Sequence, residues 1–418
     1  MFRKLLTLEE AKKTIYQNFE PKPIGFEEVP LLQSYGRILS EDIIAKLDIP
    51  PFNRSTVDGY AVRAEDTFGA EENTPKKLKF CGTVNVGEPP KVSVGKGLAA
   101  EIFTGAPMPE GADAVIMSEY TERRGDEILV YSTVVKDENV MKRGADIKRG
   151  ETILKAGQRL GSLEIGVLAA LGIAKVKVYA KPRVAVLSTG AEITEPGQEL
   201  QPGKIYDINA YSLCAAVRES GGEPIYLGVF PDDVVVLRNA LKRALASADV
   251  VVTSGGVSVG AKDVMPKTLN SLGKPGVIVC GIAIKPGKPT TVAIIDGKPV
   301  FSLPGHPASA LLIFRLLVFP IIQLMSGAKL QETFKVQAVA ETRMFPARGR
   351  KTFIMVRLKQ SESKKLVAEP VPVGLSGAIT TLARADGFVE IAENVQFVDA
   401  GEEVTVHLFR SLNETLAR

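Results

Sequence analysis

The chain has few of the residues that build metal centres and disulfide frameworks. Its 418 residues include only three cysteines and two histidines. Cys81, Cys214 and Cys280 are far apart and odd in number, so they define neither a disulfide framework nor a zinc-ligand spacing, and a reducing compartment is expected. With only His306 and His407 present, a multi-histidine metal site is excluded.

A strong charge of one sign is also missing. Lysine plus arginine (52) and aspartate plus glutamate (48) leave a net charge of +4, which does not indicate a nucleic-acid partner. The N-terminal segment lacks the long apolar core and cleavage site of a signal peptide. The most apolar stretch, 308–325, carries Arg315 and Pro320, and a mid-bilayer arginine is costly, so a buried helix is predicted there. We therefore expect a cytoplasmic protein that contacts no membrane.

Length and texture indicate a multidomain α/β protein. A chain of 418 residues exceeds one ordinary core, and its composition of 45% hydrophobic and 24% charged residues is that of a globular protein. Residues 52–143 are rich in glycine, proline and short alternating runs, which predicts an inserted β domain. Helical signals on both sides predict a split helical domain formed by 1–51 and 144–180. Residues 181–327 form the predicted α/β domain, and the strand-rich segment 328–418 forms a C-terminal β domain.

Local signals predict where several helices begin. Thr7 and Glu10 have the spacing of a capping box, which predicts a helix that starts at Thr7. A second helix is predicted from about 234 to 247. Asn209 is predicted to cap a helix over 210–220, which ends at a glycine pair.

The α/β domain alternates strands with helices. The runs 183–188, 224–230 and 250–253 read as strands, and every residue of the last run is β-branched. Repeated strand–helix units predict a parallel sheet that is covered by helices on both faces.

Polar and glycine-rich loops follow these strands. Ligands of open α/β sheets bind just beyond the carboxyl ends of the strands. Backbone amides and lysines suit phosphate, and carboxylates suit a hard cation such as Mg²⁺. The candidate residues are Ser188, Thr189, Gly190, Glu192, Asp232, Asp233, Gly255, Gly256, Ser258, Asp263, Lys285, Lys288, Pro304 and Pro307. Each has an ordinary alternative: the aspartate pair as a helix cap, the glycine pair as a tight turn, the lysines as solvated charges and the prolines as rigid supports.

Several segments, in order along nearly the whole chain, resemble those of one family. They are NRSTVDGYAV (53–62), EIFTGAPMPEGADAVIM (101–117), LSTGAEI (187–193), GGVSVGAKD (255–263), IKPGKP (284–289) and LPGHP (303–307). Together they resemble the molybdopterin molybdenumtransferase family, which is the MoeA family of bacteria and archaea and matches the E domain of gephyrin in animals.

The resemblance implies a MogA-like α/β domain over 181–327 and a specific chemistry. Family members act on adenylylated molybdopterin and release AMP in a step that depends on Mg²⁺ and on molybdate, with tungstate as the other candidate oxyanion. Residues that match positions linked to activity are Asp58, Thr104, Glu192, Asp232 and Asp263. Residues that match the substrate pocket are Ser188, Thr189, Gly190, Gly255, Gly256, Ser258, Lys285, Lys288, Pro304 and Pro307. Glu192 and Asp263 would hold Mg²⁺ or orient the attacking oxygen, and the lysines would neutralise oxyanion and phosphate charge.

The resemblance also implies partners. A homodimer is expected, with a cleft shared between the α/β domain of one subunit and the insert of the other, so that Asp58 and Thr104 act across the interface. Each is followed by glycine, so an ordinary turn is the alternative. The adenylylating MogA-like protein and apo-molybdoenzymes are the other expected partners.

Two positions depart from the usual family pattern. Ala191 stands where relatives usually have aspartate, and His306 stands where they usually have asparagine. His306 is interpreted as a helix cap, with a titratable site residue as the alternative, and both changes bear on metal coordination and on the choice of oxyanion. Two other functions stay open: a scaffold that binds the pterin without turnover, as gephyrin acts in receptor clustering, and an enzyme that adenylylates molybdopterin.

Overall fold

The structure is a computed structural model, and it divides into two compact units. It describes residues 5–256, 264–330, 334–361, 364–371, 379–410 and 412. Unit 1 comprises Met1–Glu27, Gly36–Ser40 and Lys177–Arg418, and unit 2 comprises Glu28–Tyr35 and Glu41–Val176. The four-domain boundaries expected from the sequence stay a prediction.

Helices and strands alternate with short turns along the chain. The helices are α1 (Leu8–Asn18), α2 (Ser162–Ala170), α3 (Asn209–Glu219), α4 (Val234–Ser247), α5 (Val264–Asn270), α6 (Pro307–Ile313), α7 (Phe319–Met325) and α8 (Thr380–Arg384). The strands are β1 (Phe26–Pro30), β2 (Ile43–Ile44), β3 (Arg54–Ser55), β4 (Gly59–Val62), β5 (Lys76–Val84), β6 (Leu98–Ile102), β7 (Ala114–Met117), β8 (Thr121–Arg124), β9 (Glu127–Val130), β10 (Val140–Met141), β11 (Thr152–Leu154), β12 (Lys175–Tyr179), β13 (Arg183–Thr189), β14 (Ile193–Thr194), β15 (Ile205–Tyr206), β16 (Glu223–Phe230), β17 (Val250–Ser254), β18 (Pro275–Cys280), β19 (Ile284–Lys285), β20 (Thr291–Ile295), β21 (Lys298–Leu303), β22 (Lys335–Ala340), β23 (Lys351–Gln360), β24 (Leu366–Pro370), β25 (Gly387–Ile391) and β26 (Glu403–Leu408).

Unit 2 is built on a six-stranded sheet in the order β7-β4-β6-β5-β9-β8. Successive residues of its central strands alternate between two buried clusters. Tyr60 and Val62 belong to one cluster, whereas Ala61 between them belongs to the other. The sheet is therefore buried on both faces, as the alternation of side chains along a strand requires.

Unit 1 contains a six-stranded sheet in the order β16-β13-β17-β21-β20-β18. The first four strands of that order are mutually parallel, and β20 is antiparallel to both of its neighbours, so β18 runs in the direction of the parallel strands. The predicted parallel strands are confirmed. The antiparallel strand β20 was not predicted.

Helices cover both faces of this sheet, because its central strands carry apolar side chains on both faces. The side chains that pack on the face of α3 and α6 are Val184, Val186, Val250 and Val252. The side chains that pack on the face of α4 and α5 are Ala185, Leu187 and Val251. The strand ends are thereby held rigidly, and the loops that follow them share one edge.

Pro307–Met325 is a continuous helix, with a π-helical stretch at Phe314–Val318 between α6 and α7. It is the one helix among the described residues that is long and apolar enough to cross a membrane, and 61% of its apolar window is buried inside the protein. The Arg315 guanidinium donates to the Glu219 carboxylate and to the Phe409 carbonyl, both at 3.1 Å. These contacts confirm the predicted buried core helix.

A second sheet of unit 1 closes on itself. Its order is β19-β23-β24-β22-β26-β25, and β25 also pairs with β23. Five strands thus form a small closed barrel, and β19 adds to it through the pairing of Ile284 with Lys351. This arrangement agrees with the predicted C-terminal β structure, and it ties the loop that carries Lys285 to the barrel.

Candidate functional site

The carboxyl ends of the parallel strands lie side by side. Ser188 at the end of β13 pairs with Ser254 of β17, and Ser254 pairs with Leu303 of β21. Thr189 pairs with Phe230 at the end of β16. The loops that were predicted to converge therefore do start from one edge of the sheet.

On the face covered by α3, a polar cluster joins three elements. The Asp207 carboxylate atom Oδ1 accepts from Ser188 Oγ at 2.9 Å and from the Ala210 amide at 3.0 Å. The Asn209 side-chain amide donates to Ser254 Oγ and to the Gly305 carbonyl, both at 2.7 Å. Asp207 is only 3% exposed. We call these residues the α3-face cluster.

The prediction that Asn209 caps α3 was wrong. Asn209 is the first residue of the helix, and no side chain bonds from the N-cap position at Ile208. The nearby Asp207 carboxylate accepts from the Ala210 amide instead, which satisfies one of the open donors of the first turn. Asn209 is thereby free to hold the ends of β17 and β21 together.

Three buried side-chain atoms at this edge have no hydrogen-bond partner among the described residues. They are Thr189 Oγ1, Asp207 Oδ2 and Asn209 Oδ1. A buried polar atom without a partner costs roughly 1–3 kcal/mol, and more when it is charged. A ligand or an ordered water at this strand edge can supply the missing partners.

On the opposite face of β13, Thr189 adjoins the glycine pair. A Cβ atom on Gly255 would lie 2.2 Å from the Thr189 carbonyl oxygen, and its φ is +94°, so only glycine fits there without strain. The Gly255 amide donates to the Leu303 carbonyl at 3.2 Å, which removes it as an anion donor. Within the described part of the chain, the Gly256 amide has no such acceptor.

Asp232 and Asp233 take different roles. The Asp233 carboxylate caps α4 by accepting from the amides of Val235 and Val236 at 2.9 and 3.0 Å. Asp232 makes no such bond to a described residue, and its Oδ1 atom lies 3.5 Å from the position of a Cβ on Gly256. The predicted cap is confirmed for Asp233, and Asp232 lies beside the glycine turn.

Glu192 folds back over the start of its own loop. Its carboxylate oxygens lie 2.9 Å from the position of a Cβ on Gly190, whose amide donates to the Phe230 carbonyl. The Ala191 carbonyl accepts a hydrogen bond from the Lys204 ammonium. Glu192 itself is exposed at the strand edge.

Of the two carboxylates predicted to hold Mg²⁺, only Glu192 lies within the described residues. Asp263 and Ser258 lie outside the described residues. Within the described ranges, no three His, Cys, Asp or Glu side chains are grouped closely enough to hold a metal ion.

The lysine loop enters the sheet from the same edge, because it connects the end of β18 to the start of β20. Lys285 is exposed and Lys288 is half-buried. Neither ammonium group forms an ion pair with a described residue. Both charges therefore remain available to an anion.

The LPGHP segment forms the start of the long apolar helix. Pro304 is buried, and Pro307 is the first residue of α6. His306 occupies the N-cap position, but its side chain makes no capping hydrogen bond. The prediction of its position is confirmed, whereas the expected side-chain cap is not formed.

Asp58 and Thr104 meet on the exposed surface of unit 2. The Asp58 atom Oδ1 accepts from the Thr104 amide at 2.6 Å and from the Thr104 hydroxyl at 2.8 Å. Both hydrogen bonds hold the pKa of the Asp58 carboxyl below its usual value, and the bond from the amide has the larger effect. The resemblance thus selected two residues, 46 positions apart, that the fold brings into contact.

Sequence reasoning did not select Asp207 or Ser254, and it assigned Asn209 a different role. Both Asp207 and Asn209 sit in the segment YDIN, directly before a helix, where a cap is the ordinary interpretation of such residues. The signal that distinguishes them, burial without a partner, exists only in three dimensions.

An open α/β sheet with unpaired acceptors at its carboxyl edge defines a ligand-binding domain of the doubly wound class. Family models match the chain over residues 6–172 ("MoeA N-terminal region (domain I and II)"), 185–324 ("Probable molybdopterin binding domain") and 337–409 ("MoeA C-terminal region (domain IV)").

Comparison with known proteins gives the same result. The molybdopterin molybdenumtransferase of Haemophilus influenzae is 35% identical, over 98% of this chain and 100% of its own length. That of Nostoc is 35% identical over 91% of this chain and 88% of its own length. The crystal structure of a molybdopterin biosynthesis MoeA protein from Pyrococcus horikoshii has a TM-score of 0.85 and 47% identity, over 98% of this chain and 100% of that one. The chain belongs to the molybdopterin molybdenumtransferase family, a family of transferases.

Proposed function

We propose that this protein acts in molybdenum cofactor biosynthesis by inserting molybdenum into adenylylated molybdopterin. The relatives that match nearly its whole length are named molybdopterin molybdenumtransferases. Molybdate is the proposed oxyanion, with tungstate as the other candidate.

The observation that carries the proposal is the set of unpartnered buried oxygens at the carboxyl edge of the unit 1 sheet. A site that keeps Thr189, Asp207 and Asn209 in this state is organised for a polar ligand before the ligand arrives. Preorganised polar groups of this kind cost no rearrangement when the ligand binds.

The proposed reaction has two steps, cleavage of the phosphoanhydride and insertion of molybdenum. A water oxygen attacks the adenylyl phosphorus and forms a new P–O bond as the bridging P–O bond breaks. AMP leaves with the water oxygen, a proton is released to solvent, and molybdopterin keeps its terminal phosphate. The two dithiolene thiols then displace one oxygen of molybdate, which leaves with their protons as water. Lys285 and Lys288, which have no ion pair within the described residues, would neutralise the oxyanion and phosphate charge.

We expect the protein and the substrate phosphates to bind Mg²⁺ together, rather than protein side chains alone. Mg²⁺ is usually bound by one or two carboxylates together with substrate phosphates and water. Glu192 supplies one carboxylate at the strand edge, and the described residues offer no cluster of three ligands. We propose that Glu192 and Asp263 hold the ion, which would supply charge neutralisation at the phosphoanhydride.

The test is AMP release from adenylylated molybdopterin with Mg²⁺, with and without molybdate or tungstate. Asp207→Asn and Asp263→Asn should reduce release, whereas Asp296→Asn is the matched control. Asp296 follows β20 at the opposite edge of the same sheet. Among the described residues, its Oδ1 atom accepts one long bond of 3.2 Å from the Lys274 amide, which asparagine can keep. Tight substrate binding without release under any oxyanion would instead favour the scaffold function, and transfer of AMP from ATP would favour the adenylylating enzyme.

We propose further that the active form is a homodimer in which Asp58 and Thr104 of one subunit complete the site of the other. Mixing inactive Asp58→Ala with inactive Asp263→Asn subunits should then restore about a quarter of the activity, because half of randomly formed dimers are mixed and each has one intact site. A fully active monomer on size exclusion would overturn this arrangement. The adenylylating MogA-like protein and apo-molybdoenzymes remain the proposed upstream and downstream partners.

A further inference from the structure

We propose that Asp207 and Asn209 recognise the N–H donors on the aminopyrimidinone edge of the substrate's pterin ring, a specificity role that rests on the proposed function. No bond-making or bond-breaking step above is assigned to the α3-face cluster that contains them, so the reduced AMP release expected for Asp207→Asn is attributed to weaker substrate binding.

The unpartnered atom of each side chain is fixed by the bonds of its other atom. Asp207 Oδ1 already accepts from Ser188 Oγ and the Ala210 amide, which leaves Oδ2 as the open acceptor. The Asn209 nitrogen already donates to Ser254 Oγ and the Gly305 carbonyl. Since the Gly305 carbonyl, at 2.7 Å, can only accept, the amide nitrogen must face it, and Oδ1 is left as the open acceptor.

The two acceptors belong to one small area. Asp207 and Asn209 are two residues apart at the start of α3, and their anchors, Ser188 and Ser254, are register partners on neighbouring strands. The ligand that fits this area therefore presents two adjacent donors. It carries no negative charge there, because the Asp207 carboxylate would repel it.

Two neutral parts of adenylylated molybdopterin present neighbouring donors, the ribose cis-diol and the pterin ring. The 2-amino group and N3–H of the pterin are neighbouring donors on one edge of the ring. Ribose hydroxyls also accept hydrogen bonds, whereas these pterin groups only donate, so a pair of acceptors favours the pterin. Phosphate and molybdate are anions, and the pairing edge of adenine offers one donor flanked by acceptors. A hydrogen bond from such a neutral donor to a charged carboxylate is stronger than one between two neutral groups.

The faces of β13 separate this function from anion binding. Ser188 and Thr189 are consecutive, so their side chains point to opposite faces of the sheet. Thr189 adjoins Gly256, whose amide is open within the described residues, and Asp232. The α3-face cluster offers two acceptors to the N–H groups of a ligand, whereas the Gly256 amide on the other face offers a donor to an anion.

The test compares two fluorescent probes that differ at one position, 6-hydroxymethylpterin and 6-hydroxymethyllumazine, in which a carbonyl replaces the 2-amino group. The wild-type protein should bind the pterin about 10- to 100-fold more tightly, because the carbonyl oxygen would face the Asp207 carboxylate. Asp207→Asn, whose side-chain nitrogen can donate to that carbonyl, should abolish or reverse the preference. Asp296→Asn should keep it, and thermal unfolding of each variant checks that the fold is intact.

Three results would overturn the inference. The first is equal binding of the two probes by the wild-type protein, and the second is failure to bind either at millimolar concentration by a protein that does release AMP. The third is a preference unchanged in Asp207→Asn while the Mg²⁺ requirement for AMP release rises, which would make Asp207 a cation ligand. If the wild-type protein released no AMP but still preferred the pterin probe, the proposed function alone would be refuted.

Discussion

Replacement of Gly255 by alanine tests why the glycine pair follows β17. The added Cβ would lie 2.2 Å from the Thr189 carbonyl oxygen, 3.0 Å from Thr189 Oγ1 and 3.2 Å from the Thr189 carbonyl carbon. Two of these atoms are backbone atoms of a central strand, so they cannot rotate away. The φ of +94° adds about 1–2 kcal/mol for an L-residue, and the overlap adds about 1–3 kcal/mol as in other overpacked sites.

We therefore expect Gly255→Ala to lose about 2–5 kcal/mol of unfolding free energy, which corresponds to a fall of about 3–9 °C in the Tm of unit 1 by calorimetry. Gly305→Ala is the matched control, because its Cβ would meet only the Gly255 Cα at 3.9 Å, an ordinary contact. The control should melt within about 2 °C of the wild type. If Gly255→Ala melted as the wild type does, the close approach of Thr189 to Gly255 would not be a feature of the folded protein.

Thr104→Val should raise the pKa of Asp58, because one of its two donors is lost, but the backbone amide should keep it below the usual value; carboxyl carbon NMR measures this, and an unchanged pKa would contradict the pairing. Since a lowered folded-state pKa stabilises the fold above the ordinary carboxyl pKa and that contribution is lost as the pH falls through the folded value, the variant should also lose less stability on acidification. Burial raises the pKa of the Cys214 thiol to about 11, so iodoacetamide at pH 8 should label it far more slowly in the folded protein than in denaturant, and equal rates would refute its burial. Asp233→Ala should cost about 1 kcal/mol by removing the cap of α4, whereas Asp232→Ala should leave stability unchanged and lower AMP release; equal destabilisation by both would contradict the assignment of a single cap.

The elements that the sequence predicted well are those fixed by local signals. The capping box of Thr7 and Glu10 forms as predicted, because both bonds lie within one turn. The helix predicted from about 234 to 247 has those bounds, since Asp233 caps its start. Pairings between distant segments were not predictable in this way. The antiparallel strand β20 and the closure of the barrel by β23 and β25 depend on which strands meet, which no local pattern records.

The candidate site shows the same division. Glycine and proline loops after apolar strands indicated the correct edge of the sheet, because that topology places strand ends together. The role of each residue at this edge could be assigned only from the fold. The Gly255 amide donates to the Leu303 carbonyl, and Asp207 rather than Asn209 accepts from the first turn of α3. Polar residues before a helix have the same sequence whether they cap it or face a ligand.

The measurement that tests the central claim most directly is hydrogen–deuterium exchange with and without adenylylated molybdopterin. If the carboxyl edge of the unit 1 sheet binds the substrate, amide exchange should slow at the segments 188–192, 207–210 and 254–256. The opposite edge, around Asp296, should exchange as before and serves as the internal control. Protection confined to other segments, or no protection at saturating substrate, would contradict the assignment of this edge as the substrate site.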